Sequence, residues 1–551
     1  DRVVIGDVQR TRLKSNLKAL FFVGANDTLL PGNMGQGGLL TERDREWFQK
    51  EKQALSPGAK EKTYIQKFYL YMNLTKPEEF LHISYSKVSS DGKTLRPAYL
   101  VWDLKKLFPK LVVTEEEALL MTQRELTPGE GLEFVIRGVR DRYLGVDESW
   151  KELYTWYRQN EGQKVDRILD AGFFKKKPDA LTGEEAAELY GEKKQFSVTR
   201  MERFSACAYA HFLTYGLHLS DRERYEFEAM DLGNIAHQSM ERFARKAQEK
   251  RMPWPKLEEV QRDAMIEESV EESIKDYGNT VLYSTARNEY MIVRIKQLIR
   301  RSVWALTRQM EKGDFEPSGY EMNFGSGKID RVDTCEDEDV VYVKVTDYKT
   351  GMKSFDIVAL YHGLQMQLPV YLNAALELEE RRASGKTVEP AGIFYYRIKD
   401  PIVDREKDDH ALEEKILKEL RLDGMINAKE EVIEHLEHQL SGTSVLNPIG
   451  KNKDGSLNRY SKVLPPEAFA AMLSYTKKKE AQVKRQIYAG EVQANPYELN
   501  GSTGCDYCAY RDICGFDPRL DGYAYRSLEK YSKEEVIRRM EEEIENREEP
   551  S

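Results

Sequence analysis

An α/β architecture in more than one domain is what the chain predicts, and three observations carry that expectation. Short apolar strands alternate with helical stretches over residues 1–105. Two alternating apolar runs, Gly327–Asp333 and Val341–Gly351, flank the polar turn Thr334–Asp339 and form an antiparallel hairpin set among helices. At 551 residues the chain also exceeds what a single core supports, so roughly two to four domains are expected.

Taken in order, residues 1–105 form an α/β segment. Ala19–Gly24 reads as a short buried strand, Thr41 as the N-cap of a helix through Trp47 and Phe48, residues 61–74 as a second helix and Phe80–Ser86 as a second strand. Residues 106–191 are a helical connecting region, broken at Pro128-Gly129 and Pro178-Asp179. A boundary near 192 opens the main domain, 192–518, where Ser197 or Thr199 caps a helix carrying Cys207. Further helices are expected at 226–250, at 357–380 with a kink or shortening at Pro369, at 411–441 and at 465–488, with a strand at Gly392–Ile398. Residues 519–551 read as a charged helical tail, solvated or partner-bound.

The bulk properties exclude some functions. No uninterrupted apolar run approaches the ~20 residues of a membrane helix, and a formal charge of −10 argues against a protein that coats nucleic acid through its own field. Local basic stretches, Lys175–Lys177 and Lys477–Lys479 with Lys484 and Arg485, are candidates for phosphate contacts or simply solvated faces. The chain begins at Asp1 without a signal peptide and reads as a piece of a longer cytoplasmic polypeptide. Its five cysteines include the tight Cys505-x2-Cys508-x5-Cys514 group, which suggests metal ligation in a reducing cytosol rather than a disulfide framework. Cys335 falls in the hairpin turn without a partner at ligand spacing and reads as a free thiol.

The chemistry gathers at the hairpin. Side chains alternate along a strand, so Asp347 and Lys349 share a face, and Asp330 on the partner strand approaches Asp347 across the ladder. Two acids and a lysine at one strand end can hold a hard cation and neutralise a phosphate. The same residues also make an ordinary solvated edge pair. Upstream, Gly233, His237 and Glu241 lie four apart on one helix face. Downstream, Gln367 and Tyr371 are one turn apart on an apolar stripe. Each could equally be a satisfied structural residue.

In order, His237, Asp330, Asp347-Tyr348-Lys349, then Gln367 with Tyr371 resemble the RecB-type nuclease branch of the PD-(D/E)xK superfamily. With Cys207 before the histidine and Cys505, Cys508 and Cys514 after the core, the likeness extends to the C-terminal half of the AddB family of helicase/nuclease subunits. The resemblance implies a PD-(D/E)xK domain whose ends an iron–sulfur cluster staples together. It implies that His237, Asp330 and Asp347 ligate Mg2+, with the Tyr348 carbonyl a further ligand. Lys349 would orient or activate the attacking water and stabilise transition-state charge. Gln367 and Tyr371 would contact the DNA backbone or support Lys349, with Gln365 an alternative to Gln367, and Glu241 would support the site from one turn beyond His237. Four thiolates suit either tetrahedral zinc or a [4Fe-4S] cluster, and the spacing allows both; the resemblance implies the cluster.

The segment "GANDTLLP" and the helix end "YMNLTKP" resemble the late motifs of a superfamily 1 helicase, in a second RecA-like domain. Thr75-Lys76 stands where that family carries Thr-Arg, and lysine lacks the arginine fork. No G-x-x-x-x-G-K-[ST] sequence occurs, so the chain is not expected to be an autonomous ATPase. The resemblance further implies a heterodimer with the motor subunit AddA, processing double-strand breaks for recombination. In it the chain at hand would cut the 5′-terminated strand as an exonuclease, with Chi scanning mostly upstream of residue 1. The alternative is a non-catalytic scaffold of decayed helicase and nuclease folds that binds DNA and a partner.

Overall fold

The computed structural model describes the chain apart from residues 1–2, 31–40, 52, 54, 90–91, 116–127, 141–147, 174–179, 192–195, 221–226, 228, 278–279, 326, 384, 407 and 546–551. Two compact units emerge, Asp1–Ile168 and Leu169–Ser551. The divide therefore falls inside the stretch 106–191 expected to connect two domains. The boundary near 192 and Lys175–Lys177 lie outside the described residues.

The first unit carries β1 (Leu17–Phe22), α1 (Glu42–Lys50), α2 (Ala59–Leu74), β2 (Pro77–Ile83), α3 (Tyr99–Leu107), α4 (Pro128–Arg140) and α5 (Glu148–Asn160), and α6 (Gly162–Gly172) spans the divide. Thr41 caps α1 as expected, accepting from the Asp44 amide. β1 and β2 pair in parallel with α2 as the crossover between them. The strand expected to be buried is not: Phe21 is 65% exposed, and Phe80 on β2 is exposed too. The core here is small, centred on Leu30, Leu70, Ala98 and Leu100 with Phe22 and Ile83 against it. Thr75 ends α2, its hydroxyl donating to the Tyr71 carbonyl at 2.8 Å.

The second unit begins with α7 (Gly183–Tyr190), α8 (Val198–Ala206), α9 (Ala208–His211), α10 (Ala229–Glu249), α11 (Glu259–Asp276) and α12 (Ala286–Met310). Then come β3 (Glu316–Phe324), β4 (Gly327–Glu336), β5 (Val340–Lys349), α13 (Ile357–Tyr361), α14 (Gln367–Glu380) and β6 (Thr387–Arg397). α15 (Asp409–Glu419), β7 (Asp423–Asn427), α16 (Glu430–Leu436), β8 (Val463–Leu464) and α17 (Pro466–Tyr488) follow. The chain ends in β9 (Tyr497–Leu499), β10 (Ser502–Thr503), α18 (Arg511–Cys514), β11 (Arg526–Ser527) and α19 (Lys533–Glu545).

Strands β3 to β8 form one mixed sheet in that order, antiparallel from β3 to β5 and parallel between β5 and β6. Alternation along β5 splits the core in two. Val341, Val343 and Val345 pack with α8, α14, α17 and α19 on one face. Tyr342 and Tyr348 pack with α10, α11, α12, α15 and α16 on the other. A sheet covered by helices on both faces is a layered α/β form.

Several elements differ from expectation for identifiable reasons. The helix expected over 357–380 is two helices. Gly363, at φ +77°, ends α13, with Leu364 N donating to Ala359 O and Gly363 N to Leu360 O. Pro369 then sits in the first turn of α14, where its missing N–H removes no helical bond. The stretch 411–441 contains β7 between two helices, because it must pair with β6. Cys335 lies in β4 rather than in the turn, and is buried. The tail is largely exposed but not free: Val536 and Met540, one turn apart on α19, are fully buried in the core of the first face. Lys477 pairs with Glu377 at 2.9 Å and Lys479 is largely buried, with burial lowering its pKa, so this run is engaged within the fold rather than free for phosphate.

Candidate active site

Glu321, Asp330 and Asp347 stand on three neighbouring strands, at one end of the sheet. The register of β3 on β4 sets Tyr320 against Arg331 and Met322 against Ile329, which brings Glu321 opposite Asp330. That of β4 on β5 sets Arg331 against Thr346, so continuing it by one pair brings Asp330 opposite Asp347. Residues directly opposite in an antiparallel pair project to the same face. The strand pairing therefore makes a row of three carboxylates from positions far apart in sequence.

Asp347 is almost wholly buried, its side chain 2% exposed, and the Lys349 ammonium pairs with its Oδ2. The Gln367 amide donates to Oδ1 at 2.9 Å and to the Tyr371 hydroxyl at 3.0 Å. Burial, then the charge of Asp330, pushes the Asp347 carboxyl up to about 7, against the pull of Lys349 and His237. Asp330 accepts from the Tyr348 amide at 2.8 Å through Oδ2, and the same oxygen lies 3.2 Å from His237 Nδ1. Burial works to lower the His237 pKa, but the hydrogen bond and charge of Asp330, with Asp347, raise it overall. The Tyr348 side chain is turned to the opposite face, its ring edge-on to His237 and to Tyr396, so only its backbone can serve the acids.

His237, Asp330, Asp347, Lys349, Gln367 and Tyr371 thus converge. Gln367 and Tyr371 hold Asp347 rather than Lys349. Gln365 does not reach the site: its carbonyl oxygen accepts from Asp356 N at 3.0 Å and its amide donates to Ser354 O at 3.1 Å. Glu241 pairs with Arg245 at 2.6 Å.

Two participants were not predicted. Glu321 is held at φ +48°, a backbone conformation rare outside glycine. One of its oxygens stands with His237 and Asp330 in a group whose ligand atoms all lie within 4.8 Å of one another. Burial raises its pKa, with Lys328 paired against it. The alternation Tyr320, Met322, Phe324 before Gly327 was the signal for the strand that carries it. The second is Glu202 on α8, whose Oε1 accepts from Met366 N at 2.7 Å and Gln367 N at 3.0 Å. A carboxylate there satisfies orphan donors at the start of α14 and fixes the turn from which Gln367 reaches Asp347. Nothing local in the sequence links positions 202 and 367.

The donor set fits a hard divalent cation. An imidazole and carboxylates converge, and the charge of Asp330 raises the proton affinity of Asp347 and Glu321, which a cation would relieve.

The cysteines form a separate clasp. Cys207 closes α8, and about three hundred residues later Cys508 returns to pack beside it with Ala210, Leu213 and Tyr510, while Cys505 lies close enough to feel Cys207, Cys508 and Cys514. Asn495 Oδ1 accepts from Ala208 N at 3.0 Å, Tyr209 N donates to Gln493 O at 2.9 Å, and the Tyr510 hydroxyl donates to Leu219 O at 2.7 Å. Burial raises the Cys505 thiol pKa, and Cys207, Cys508 and Cys514 add to the rise. Among the described residues no three of these sulfurs fall within 4.8 Å of one another.

Comparison with known proteins adds to this geometry. Residues 195–515 match the family described as the PD-(D/E)XK nuclease superfamily. The chain is 37% identical over 97% of its length to the B subunit of the ATP-dependent helicase/deoxyribonuclease of Lachnoclostridium phytofermentans, covering 48% of that protein. It is 32% identical over 99% of its length to the protein of the same name in Alkaliphilus oremlandii and 31% identical over 98% to that in Alkaliphilus metalliredigens, covering 50% of each. The chain therefore spans about half the length of these curated relatives.

Proposed function

Because the chain belongs to the PD-(D/E)XK nuclease superfamily, we propose that it cleaves DNA with Mg2+ held by His237, Asp330 and Asp347, together with the Tyr348 carbonyl and Glu321. The bound ion supplies Lewis-acid stabilisation of phosphate charge and acidifies a water. The carrying observation is the convergence of Asp330, Asp347 and Lys349 at one sheet end with His237 3.2 Å from Asp330. Lys349 orients the attacking water and stabilises negative charge on the phosphate as it develops. Gln367, braced by Tyr371 and by the Glu202-capped start of α14, keeps Asp347 in place.

The whole chain acts as part of a helicase–nuclease assembly. The relatives' designation as one subunit of an enzyme supports a partner, which we take to be the motor protein AddA. In that assembly this chain cuts the 5′-terminated strand of a broken duplex during resection for recombination, and sequence scanning for Chi belongs to the half of the relatives that this chain does not span. Residues 1–105 are a helicase-like segment without hydrolysis of its own, since Lys76 lacks the arginine fork. Cys207, Cys505, Cys508 and Cys514 hold a [4Fe-4S] cluster, a reading supported by the return of the three late cysteines to the neighbourhood of Cys207.

Cleavage of single-stranded DNA with and without Mg2+ tests the nuclease. Asp347→Ala should abolish it while DNA binding persists, and cleavage by that variant at the wild-type rate would end the proposal. Broad visible absorbance of the purified protein is expected from the cluster; a colourless, zinc-loaded protein would replace the cluster with zinc.

A further inference from the structure

The far end of the same hairpin carries ligand-type side chains that DNA cleavage does not use. Asp314 lies in the turn between α12 and β3, Cys335 near the end of β4, His435 in the last turn of α16 and His438 three residues on. One oxygen of Asp314, Oδ2, lies 2.8 Å from His435 Nδ1 and 2.7 Å from His438 Nε2. The ligand atoms of Asp314, Cys335 and His435 all fall within 4.8 Å of one another. Cys335 lies five residues along β4 from Asp330, about 17 Å at the rise of a strand, so this group is separate from the nuclease site.

The backbone holds these segments together independently of the side chains. Asp314 N donates to His435 O at 2.8 Å, and His438 N donates to Lys312 O at 2.8 Å. Gly313 permits the approach, since a Cβ there would collide with the carbonyl oxygens of His435 and Leu436. The surroundings are anionic: Asp314, Asp337, Glu316 and Glu336 all act on the buried Cys335 thiol, and burial with these charges pushes it up to about 11. A neutral thiol in a ring of carboxylates is a place a cation would convert to a ligand. The way in is open, because the Asp314 and His438 side chains are 43% and 46% exposed. A cleft of ≈ 490 Å³ lined by Trp254, Tyr320, Met310 and Asp314 adjoins it.

We infer that Asp314, Cys335, His435 and His438 form a zinc site that pins the turn before β3, the end of β4 and α16 to one another. Two imidazole nitrogens, a thiolate and a carboxylate oxygen complete a tetrahedral set with zinc's preferred donors. Ligand atoms in such a set stand roughly 3.3 Å or more apart, so each imidazole must separate from Asp314 by about half an ångström, and His438, which stands outside the group of three, must also close on Cys335 and His435. Binding releases the Cys335 proton, and each imidazole coordinates as a neutral base through the nitrogen that faces Asp314, with its ring proton on the other nitrogen.

Zinc titration of the complete protein, with its cysteine clasp loaded, tests this. The wild type should take up one equivalent of Zn2+ with a rise in its unfolding midpoint. His438→Ala and Cys335→Ser should each lose both the equivalent and the rise. Co2+ in place of Zn2+ should give a thiolate-to-cobalt absorption band that Cys335→Ser removes. His438 is half-exposed, so its variant keeps the test valid if Cys335→Ser does not fold. Uptake of no zinc by the wild type, or full uptake by His438→Ala, overturns the site.

Discussion

The two ends of the β4–β5 hairpin are built from the same two strands, yet they gather opposite kinds of donor. At the Asp330 end the register lines up three carboxylates, and each of the outer two is already met by a lysine, Lys328 on Glu321 and Lys349 on Asp347. At the Cys335 end a single carboxylate is met by two imidazoles beside a thiol. Oxygen ligands with adjacent ammonium groups suit a hard ion and a phosphate, whereas nitrogen and sulfur suit a borderline ion that stays. A difference in donor chemistry, on a common scaffold, separates a place for reaction from a place for anchoring.

The widest test of that separation removes Lys349. Lys349→Ala should lower cleavage by about 10³-fold, the scale of losing one charge-stabilising group, with DNA binding little changed. His438→Ala should cleave at the wild-type rate. Similar losses from both variants, measured as initial rates at saturating Mg2+, would mean that the far end also takes part in scission.

Next in size is the clasp, which belongs to the reactive end through α8. With the proposed cluster bound, Cys508→Ala would open a brace across a very long loop, and a loss of roughly 2–4 kcal/mol is expected by analogy with long disulfide loops. At about 2–4 °C per kcal/mol for a large domain, the unfolding midpoint should fall by on the order of 5–10 °C. Nuclease yield should fall with it, while zinc uptake at Asp314 persists. Unchanged thermal stability would refute the brace.

How much of this was legible follows the range of each interaction. The hairpin and its Asp347/Lys349 face were, because a strand's period of two is local. His237 with Glu241 and Gln367 with Tyr371 were placed by one-turn spacing on helices. Glu321, Glu202, His435 and His438 were not placed, because strand register and packing between distant segments bring them in. Val536 and Met540, four apart amid charge, held a readable signal of a buried face on α19. For the first unit, the unbroken apolar run Ala19–Gly24 suggested a buried strand, and burial depends on what covers the second face, which no local pattern records.

Glu321 offers a smaller, sharper probe of the reactive end. Glu321→Gln keeps shape and removes one charge from the carboxylate row. The Mg2+ concentration for half-maximal cleavage should rise about tenfold, the lower end of what lost metal-site partners cost, with the rate at saturation largely restored. A loss of saturated rate with unchanged Mg2+ dependence would assign Glu321 to the chemistry rather than to the ion.

The smallest expected effect comes from Glu202, and its pH dependence has a definite sign. Burial raises the Glu202 pKa above 4.5, against the charges of Lys353 and Lys349 and the amides of Gln367 and Met366. A raised folded pKa means the folded state binds the proton more tightly than the unfolded state. The resulting stability is fully present below about pH 4.5 and is lost as pH rises through the folded value. Glu202→Gln keeps an oxygen to accept from the Met366 and Gln367 amides and never ionises, so this part of the pH dependence should vanish. Thermal unfolding from pH 4 to 8 should show the variant gaining on the wild type as pH rises, while its cleavage rate stays within about threefold, because the glutamine oxygen keeps the acceptor that aims Gln367 at Asp347. Parallel stability curves for the two proteins would show that the Glu202 charge is carried without cost, and the start of α14 would then owe its placement to packing with α8 rather than to this carboxylate.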